Sequence, residues 1–276
     1  MSTFDKFKVL VADDAETVHA FFSKIAQESP IPFKVIGAFN GLECMKLLKD
    51  GRINLAFIDV NMPGMTGTQV VSAARHEGIK TFVTLISGNS NKRRLRLARH
   101  LKVYEYLIKP FSAEDVYAIL RTYSRVCLRT RVLIVDGSAT TRRLINKVLS
   151  GSVFNVDITE VSDCGHALAR CEVNEFDFVM LDYDMLETDG LDTLKRMIER
   201  HPKIKVIMMS GNPDEQQQRR ALDCGATAFL RKPFYPKDID RELHSLFNLK
   251  MPMLANTEDL EEEDLEEEVL HRTSHA

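Results

Sequence analysis

Short apolar runs alternate with amphipathic stretches along most of the chain. In the first half the apolar runs are four to six residues long and are bounded by turn-forming residues, which is typical of buried parallel strands. The stretches between them, such as Thr17–Gln27 and Gly41–Lys49, have the length and periodicity of amphipathic helices. The predicted strands are Lys8–Ala12, Lys34–Ala38, Leu55–Asp59, Phe82–Ser87 and Tyr104–Ile108. A strand–helix unit repeated five times predicts a doubly wound parallel sheet.

The second half of the chain repeats the first at an offset of 123 residues. Four separated motifs share this offset: VLVAD and VLIVD, Asp59 and Asp182, Ser87 and Ser210, and the Lys-Pro-Phe triplets that begin at Lys109 and Lys232. One offset common to four motifs indicates an internal duplication. We therefore predict an α/β protein with two (βα)5 domains in tandem, residues 1–128 and 129–249, followed by an acidic tail, residues 250–276.

Composition is that of a soluble globular protein, with 44% hydrophobic and 28% charged residues. No apolar run approaches the roughly 18 residues needed to span a bilayer, so we predict no membrane association. The first residues lack the apolar core of a signal peptide. The five cysteines form no CxxC pair, which predicts free thiols in a reducing cytoplasm.

Negative charge is concentrated at the C-terminal end. Residues 251–276 contain nine acids and one base, a net charge of −8, so the rest of the chain carries +5 against −3 for the whole. A mildly basic body is weak evidence for nucleic-acid binding, and we predict none. The composition of residues 256–276 predicts a solvated, disordered tail. The alternative is a salt-sensitive contact with a basic surface, such as the helix that contains Arg93–Arg99.

Polar side chains stand where the strands of the first repeat end. Asp13 and Asp14 follow the first strand, and Asp59 ends the third. Ser87 ends the fourth strand, and Lys109 follows the fifth. Functional groups collect at the carboxyl ends of such strands, so these residues are expected to converge. Three clustered carboxylates need a cation, and Mg²⁺ prefers such oxygen ligands. A metal and a lysine beside a nucleophilic carboxylate favour phosphoryl transfer onto an aspartate.

Through these motifs, both repeats resemble the receiver domains of two-component response regulators, over about residues 5–249. The resemblance implies a flavodoxin-like fold, Mg²⁺ as cofactor, and phosphorylation of Asp59 by a histidine kinase or phosphotransfer protein. It also implies that Pro63 and Gly67 form a tight turn into the next helix. The implied metal ligands are Asp13, Asp14, Asp59 and the backbone carbonyl of Asn61. The implied phosphoryl-contacting and switch residues are Ser87, Lys109 and Tyr106.

The second repeat keeps the pattern with one departure, because Gly137 stands where the first repeat has Asp14. The resemblance implies Asp182 as phosphoacceptor. The corresponding metal positions are Asp136, Asp182 and Asp184, and the contact and switch positions are Ser210, Lys232 and Phe229. Since one carboxylate is missing, we expect weaker Mg²⁺ binding and a weaker phosphoacceptor. The alternative is a receiver-like module kept for protein contact.

No output-domain motif accompanies the two repeats. The sequence therefore predicts a stand-alone, cytoplasmic response regulator that accepts a phosphoryl group on Asp59 and signals to a downstream protein target by direct contact. Its only expected chemistry is self-phosphorylation and slow hydrolysis of the acyl phosphate. One alternative is a scaffold in which phosphorylation is incidental. A remote alternative is a haloacid-dehalogenase-type phosphatase that uses Asp182 and Asp184, although that motif should follow the first strand of its domain and here follows the third.

Overall fold

Two five-stranded parallel sheets, each flanked by helices, make up the protein. The computed structural model describes residues 7–185 and 190–256. The chain divides into two compact units. The first contains residues up to Tyr123 together with residues from Lys250 onward, and the second contains Ser124–Leu249. The prediction of two tandem doubly wound domains is confirmed; residues 257–276 of the predicted tail lie outside the described residues.

The first unit has the strand order β2-β1-β3-β4-β5. Its strands are β1 (Phe7–Ala12), β2 (Phe33–Ala38), β3 (Leu55–Asp59), β4 (Phe82–Ser87) and β5 (Glu105–Ile108). Its helices are α1 (Glu16–Glu28), α2 (Gly41–Lys49), α3 (Gly67–His76), α4 (Lys92–His100) and α5 (Ala113–Cys127), the last of which extends into the second unit. Each strand lies within one residue of its predicted bounds.

Helices cover both faces of this sheet, which is why its strands are almost wholly apolar. Alternate residues of β1 point to opposite faces. Leu10 belongs to a cluster with residues of α2, α3 and α4, whereas Val11 belongs to a cluster with residues of α1 and α5. All five residues of β3 are buried. Asp13 and Asp59 lie at the carboxyl ends of these strands, where the predicted site is.

The second unit repeats the topology, with the strand order β7-β6-β8-β9-β10. Its strands are β6 (Thr130–Val135), β7 (Val156–Val161), β8 (Phe178–Asp182), β9 (Val206–Ser210) and β10 (Ala228–Arg231). Its helices are α6 (Ala139–Ser150), α7 (Cys164–Val173), α8 (Gly190–Arg200), α9 (Glu215–Asp223) and α10 (Pro236–Leu246). A 3₁₀ helix, Met253–Asn256, follows. Within residues 7–185 and 190–256, every helix is too short or too polar to cross a bilayer.

A largely buried carboxyl group on α10 makes the stability of the second unit depend on pH. Burial raises the pKa of Asp240 to about 6, although the Val153 amide donates to its carboxylate at 3.3 Å. Because the folded-state pKa lies above the unfolded value, the protonated form stabilises the fold below about pH 4, and this stabilisation is lost as the pH rises to about 6.

We therefore expect Asp240→Asn to stabilise the second unit at pH 7 by roughly 1–3 kcal/mol. The variant should also flatten the pH dependence of the urea midpoint between about pH 4 and 6. Asp223→Asn makes the same change at an exposed position of α9 and serves as the control. Equal pH profiles for Asp240→Asn and the unaltered chain would contradict the assignment.

Candidate functional site

A lysine joins two buried carboxylates at the carboxyl edge of the first sheet. Asp13 follows β1 and has no exposed surface, and Asp59 at the end of β3 is 4% exposed. Lys109, which follows β5, places its Nζ 2.7 Å from Asp13 Oδ2 and 2.7 Å from Asp59 Oδ1. Three strands that are distant in sequence therefore bring these predicted residues together.

Backbone groups hold both carboxylates in place. The Asn61 amide donates to Asp59 Oδ2 at 2.6 Å, and the Ala15 amide donates to Asp13 Oδ1 at 3.0 Å. The other carboxylate oxygen of each acid contacts Lys109. The arrangement fixes the orientation of both carboxylates.

Burial dominates the electrostatics of this cluster. It raises the pKa of Asp59, against the lowering effect of the bonds from Lys109 and Asn61. Burial alone would lower the pKa of Lys109, but its bonds to Asp13 and Asp59 raise that pKa instead. The lysine is thus held in its charged form beside a carboxylate whose negative charge is incompletely compensated.

Ser87 and Tyr106 lie in the same region but contact other groups. The buried Ser87 hydroxyl is 3.4 Å from both the Asn89 amide and an Arg94 guanidinium nitrogen. The Tyr106 ring is buried, and its hydroxyl donates to the Asn89 carbonyl at 3.1 Å. Arg94 also donates to the Asn89 side chain. Asn89 therefore links the predicted switch tyrosine to the loop after β4.

The acid pair that was predicted to bind metal is split between interior and surface. Asp13 is buried, whereas Asp14 is exposed. Across residues 7–185 and 190–256, no three His, Cys, Asp or Glu side chains stand close enough to form a metal-binding group. Asp13 and Asp59 nevertheless supply two oxygen donors that share one cation, Lys109. This donor chemistry fits a hard divalent cation.

The second unit reproduces the acid–lysine cluster. Asp136 follows β6, Asp182 ends β8, and both are buried. Lys232 Nζ lies 2.6 Å from Asp136 Oδ2 and 3.0 Å from Asp182 Oδ1. Burial raises the pKa of Asp182, and the bond from Lys232 opposes this shift.

The switch region of the second unit differs from that of the first. The Ser210 hydroxyl donates to the Asp184 carboxylate at 2.8 Å. Asp184 corresponds to Asn61 of the first unit, so an acid that binds the serine stands here in place of an amide. Phe229 is only partly buried and lies 6.2 Å from the Tyr183 ring, between centroids. With Gly137 in place of the second acid, the two units share a scaffold and differ in the groups around it.

Two contacts at the first acid of each unit were not predicted. His19 Nε2 is 2.8 Å from the Asp13 carbonyl, and Arg142 donates to the Asp136 carbonyl at 2.7 Å. The 123-residue offset pairs His19 with Arg142, so the sequence contained a signal for an equivalent role. The sequence predicts Arg94 only as one of several basic residues in a helix. No feature of the sequence distinguishes it as the residue whose side chain contacts Ser87.

The fold and this cluster define a class of protein: tandem doubly wound domains, each with a buried aspartate–lysine site at the carboxyl edge of its sheet. The model of the response regulator receiver domain matches residues 9–121 and 132–244, which together exceed half of the chain. The chain belongs to the response regulator receiver domain family.

Curated relatives resemble one domain of the chain at a time. Chemotaxis protein CheY-3 of Vibrio cholerae is 30% identical over 119 residues, which are 42% of this chain and 91% of that protein. Protein-glutamate methylesterase/protein-glutamine glutaminase 1 of Paramagnetospirillum magneticum is 35% identical over 111 residues, 40% of this chain and 29% of that enzyme. The chain spans about a third of the length of the first such relatives.

A solved structure matches the tandem arrangement. A protein described as a two-component system response regulator/GGDEF domain protein aligns with a TM-score of 0.60 over 87% of this chain and 99% of that chain. Sequence identity in this alignment is 22%, so the likeness establishes the fold alone.

Proposed function

We propose that this response regulator accepts a phosphoryl group on Asp59 and signals through protein contact. The observation that carries the proposal is the buried Asp59 carboxylate, held by Lys109 at 2.7 Å beside Asp13. The phosphodonor is a histidine kinase or a phosphotransfer protein, and the recipient of the signal is a downstream protein. We propose no enzymatic activity beyond self-phosphorylation and slow hydrolysis. The cytoplasmic location stays a prediction.

The proposed reaction gives each residue of the cluster a task. A carboxylate oxygen of Asp59 attacks the phosphorus, the bond from phosphorus to the donor atom breaks, and the donor leaves with its electron pair. Lys109 neutralises negative charge on the transferred group, and the Asn61 amide keeps the carboxylate oriented. The proposed ligand of the new phosphoryl oxygens is Ser87, which ends the strand that pairs with β3.

Mg²⁺ is the proposed cofactor. Asp13, Asp14, Asp59 and the Asn61 carbonyl would hold it. When bound, the ion neutralises charge on the phosphoryl oxygens. The proposal is supported by the two buried carboxylates, whose two negative charges share the single positive charge of Lys109.

The proposal is tested with the full chain, Mg²⁺ and acetyl phosphate. We expect intact mass spectrometry to show an adduct of one phosphoryl group, absent when a chelator removes Mg²⁺. Hydroxylamine should remove the adduct, because an acyl phosphate reacts with amine nucleophiles. An unmodified mass after long incubation would contradict the phosphoacceptor proposal and favour a scaffold that works without phosphorylation.

For the second unit we propose weaker phosphoryl acceptance at Asp182. The missing acid at Gly137 and the Ser210–Asp184 bond support this difference, because both change the groups around an otherwise similar cluster. The same two features favour a second candidate role for this unit, protein contact without phosphorylation.

Restoring the acid should strengthen metal binding by the second unit. Among the described residues outside its chain neighbours, a Cβ at position 137 would come within 4 Å only of the Ser162 carbonyl oxygen, at 3.9 Å, so the backbone there accepts a Cβ. We expect Gly137→Asp to raise the Mg²⁺ affinity of the second unit by about tenfold, since ligand charge is a large part of that affinity. The measurement is calorimetric titration in an Asp59→Asn background.

Gly137→Asn is the matched control for this prediction. It adds nearly the same volume without a charge and should leave the affinity close to its original value. Equal affinities for the Asp and Asn variants would show that the missing carboxylate does not limit metal binding.

A further inference from the structure

A segment that follows the second unit in sequence completes the core of the first. The 3₁₀ helix Met253–Asn256 lies against β5 and α4. Leu254 is 5% exposed and belongs to the cluster that contains Leu95 and Tyr106. Every other buried member of that cluster comes from residues 10–106. The apolar contact therefore joins two parts of the chain that are almost 150 residues apart.

Polar contacts fix the register of this segment. Glu105 on β5 is 5% exposed, and its Oε1 accepts a hydrogen bond from the Met253 amide at 2.9 Å and another from the Tyr106 amide at 2.8 Å. Lys250 Nζ lies 2.9 Å from a carboxylate oxygen of Asp115, on α5. A buried acid that binds the backbone of the segment is a site-specific anchor, because without the Met253 amide its Oε1 would keep only the bond from the Tyr106 amide.

Helix α4, beside this anchor, carries charge of one sign. Its sequence, KRRLRLARH, has five Lys or Arg residues and no acid. Lys92, Arg93 and Arg99 are exposed. The chain beyond residue 256 contains nine acids between Glu258 and Glu268. Since the 3₁₀ helix contacts α4, the chain that follows it is tethered beside the basic helix. Such a tether raises the effective concentration of the acidic run near α4.

We propose that α4 and β5 of the first unit form a docking surface whose occupant is the C-terminal segment of the same chain. Lys250–Ala255 is the anchor, and the acidic residues 258–268 pair with α4. A protein partner with an acidic surface would have to displace this segment in order to bind α4. The inference goes beyond phosphoryl acceptance and does not depend on it, since none of its contacts involves Asp59.

Zero-length crosslinking of the full chain tests the proposal. A carbodiimide joins a lysine ammonium to a carboxylate in contact with it, forming an amide while the carbodiimide takes up the water that is lost. At low ionic strength we expect peptide mass spectrometry to find crosslinks from residues 258–268 to Lys92, the first residue of α4, and to Lys102, two residues after its end. Lys34, an exposed lysine on β2, should give few. Sodium chloride at about 0.5 M should suppress the crosslinks.

Two matched variants test whether the crosslinks depend on the anchor or arise from random collisions of the acidic residues with the surface. Leu254→Ser should lower the crosslink yield at Lys92 about tenfold, because the anchor loses its buried side chain. Met253→Ser changes the exposed neighbour, keeps the amide bond to Glu105, and should leave the yield unchanged.

A surface variant covers the case in which Leu254→Ser disturbs the fold. Arg93→Glu combined with Arg99→Glu should reduce the yield severalfold while the circular dichroism stays unchanged. As many crosslinks at Lys34 as at Lys92, or a yield that neither Leu254→Ser nor the charge reversal lowers, would overturn the proposal. Phosphorylation by acetyl phosphate is measured separately, so its failure remains distinguishable from failure of docking.

Discussion

Replacing Asp59 with asparagine is expected to abolish the phosphoryl adduct of the first unit, a fall of at least about a hundredfold in yield. An amide oxygen is a far poorer nucleophile than a carboxylate. The fold should persist, because burial raises the pKa of Asp59 and its ionised form therefore costs stability at neutral pH. Lys109 keeps Asp13 as its partner in the variant. Acetyl phosphate with Mg²⁺, followed by peptide mapping, is the measurement.

The duplicated site supplies the controls for this experiment. Asp182→Asn should leave most of the adduct in place, and the double variant should show none. Asp50→Asn removes a carboxylate of the same chemistry from an exposed position of the first unit and should have no effect. If Asp59→Asn leaves the adduct yield of the first unit unchanged, the phosphoacceptor of that unit is a residue other than Asp59.

Replacing Gly67 with alanine is expected to destabilise the first unit by about 2–4 kcal/mol. A Cβ at this position would lie 2.2 Å from the Asp59 carbonyl oxygen and 3.0 Å from Ile58 Cγ2. Relief requires the start of α3 to move away from β3, and the Gly67 amide would then lose its 3.0 Å bond to the Val60 carbonyl. Because the clash falls on the backbone of Asp59, phosphoryl acceptance should decline together with stability.

Gly88→Ala is the comparison for this prediction, since a Cβ at position 88 would have no heavy atom of the described residues within 4 Å apart from its chain neighbours. Urea unfolding should show a lower midpoint for Gly67→Ala and a change below about 0.5 kcal/mol for Gly88→Ala. The second unit has the same close approach, 2.4 Å from a Cβ at Gly190 to the Asp182 carbonyl oxygen. An unshifted midpoint for Gly67→Ala would mean that α3 and β3 can separate without cost.

The duplication made most of the fold and the centre of each site predictable. Asp59 and Lys109 end or follow apolar strands, and parallel strands bring such positions to one edge. Less predictable was a second role of Gly67: besides its expected place in the turn into α3, it lets the start of α3 approach the backbone of Asp59 closely. Contacts from α4 to Ser87, and the seating of Leu254 beside β5, depend on how helices lie on the sheet. Local periodicity carries no information about that placement.

The position of Leu254 has a consequence for the order of folding during synthesis. Domains generally fold as units while the chain emerges, starting from the N-terminal end. Here the cluster around Tyr106 receives its last buried side chain only after the whole second unit has left the ribosome. Until then the cluster beside β5 and α4 lacks the Leu254 side chain. The first domain to begin folding is therefore the last to finish.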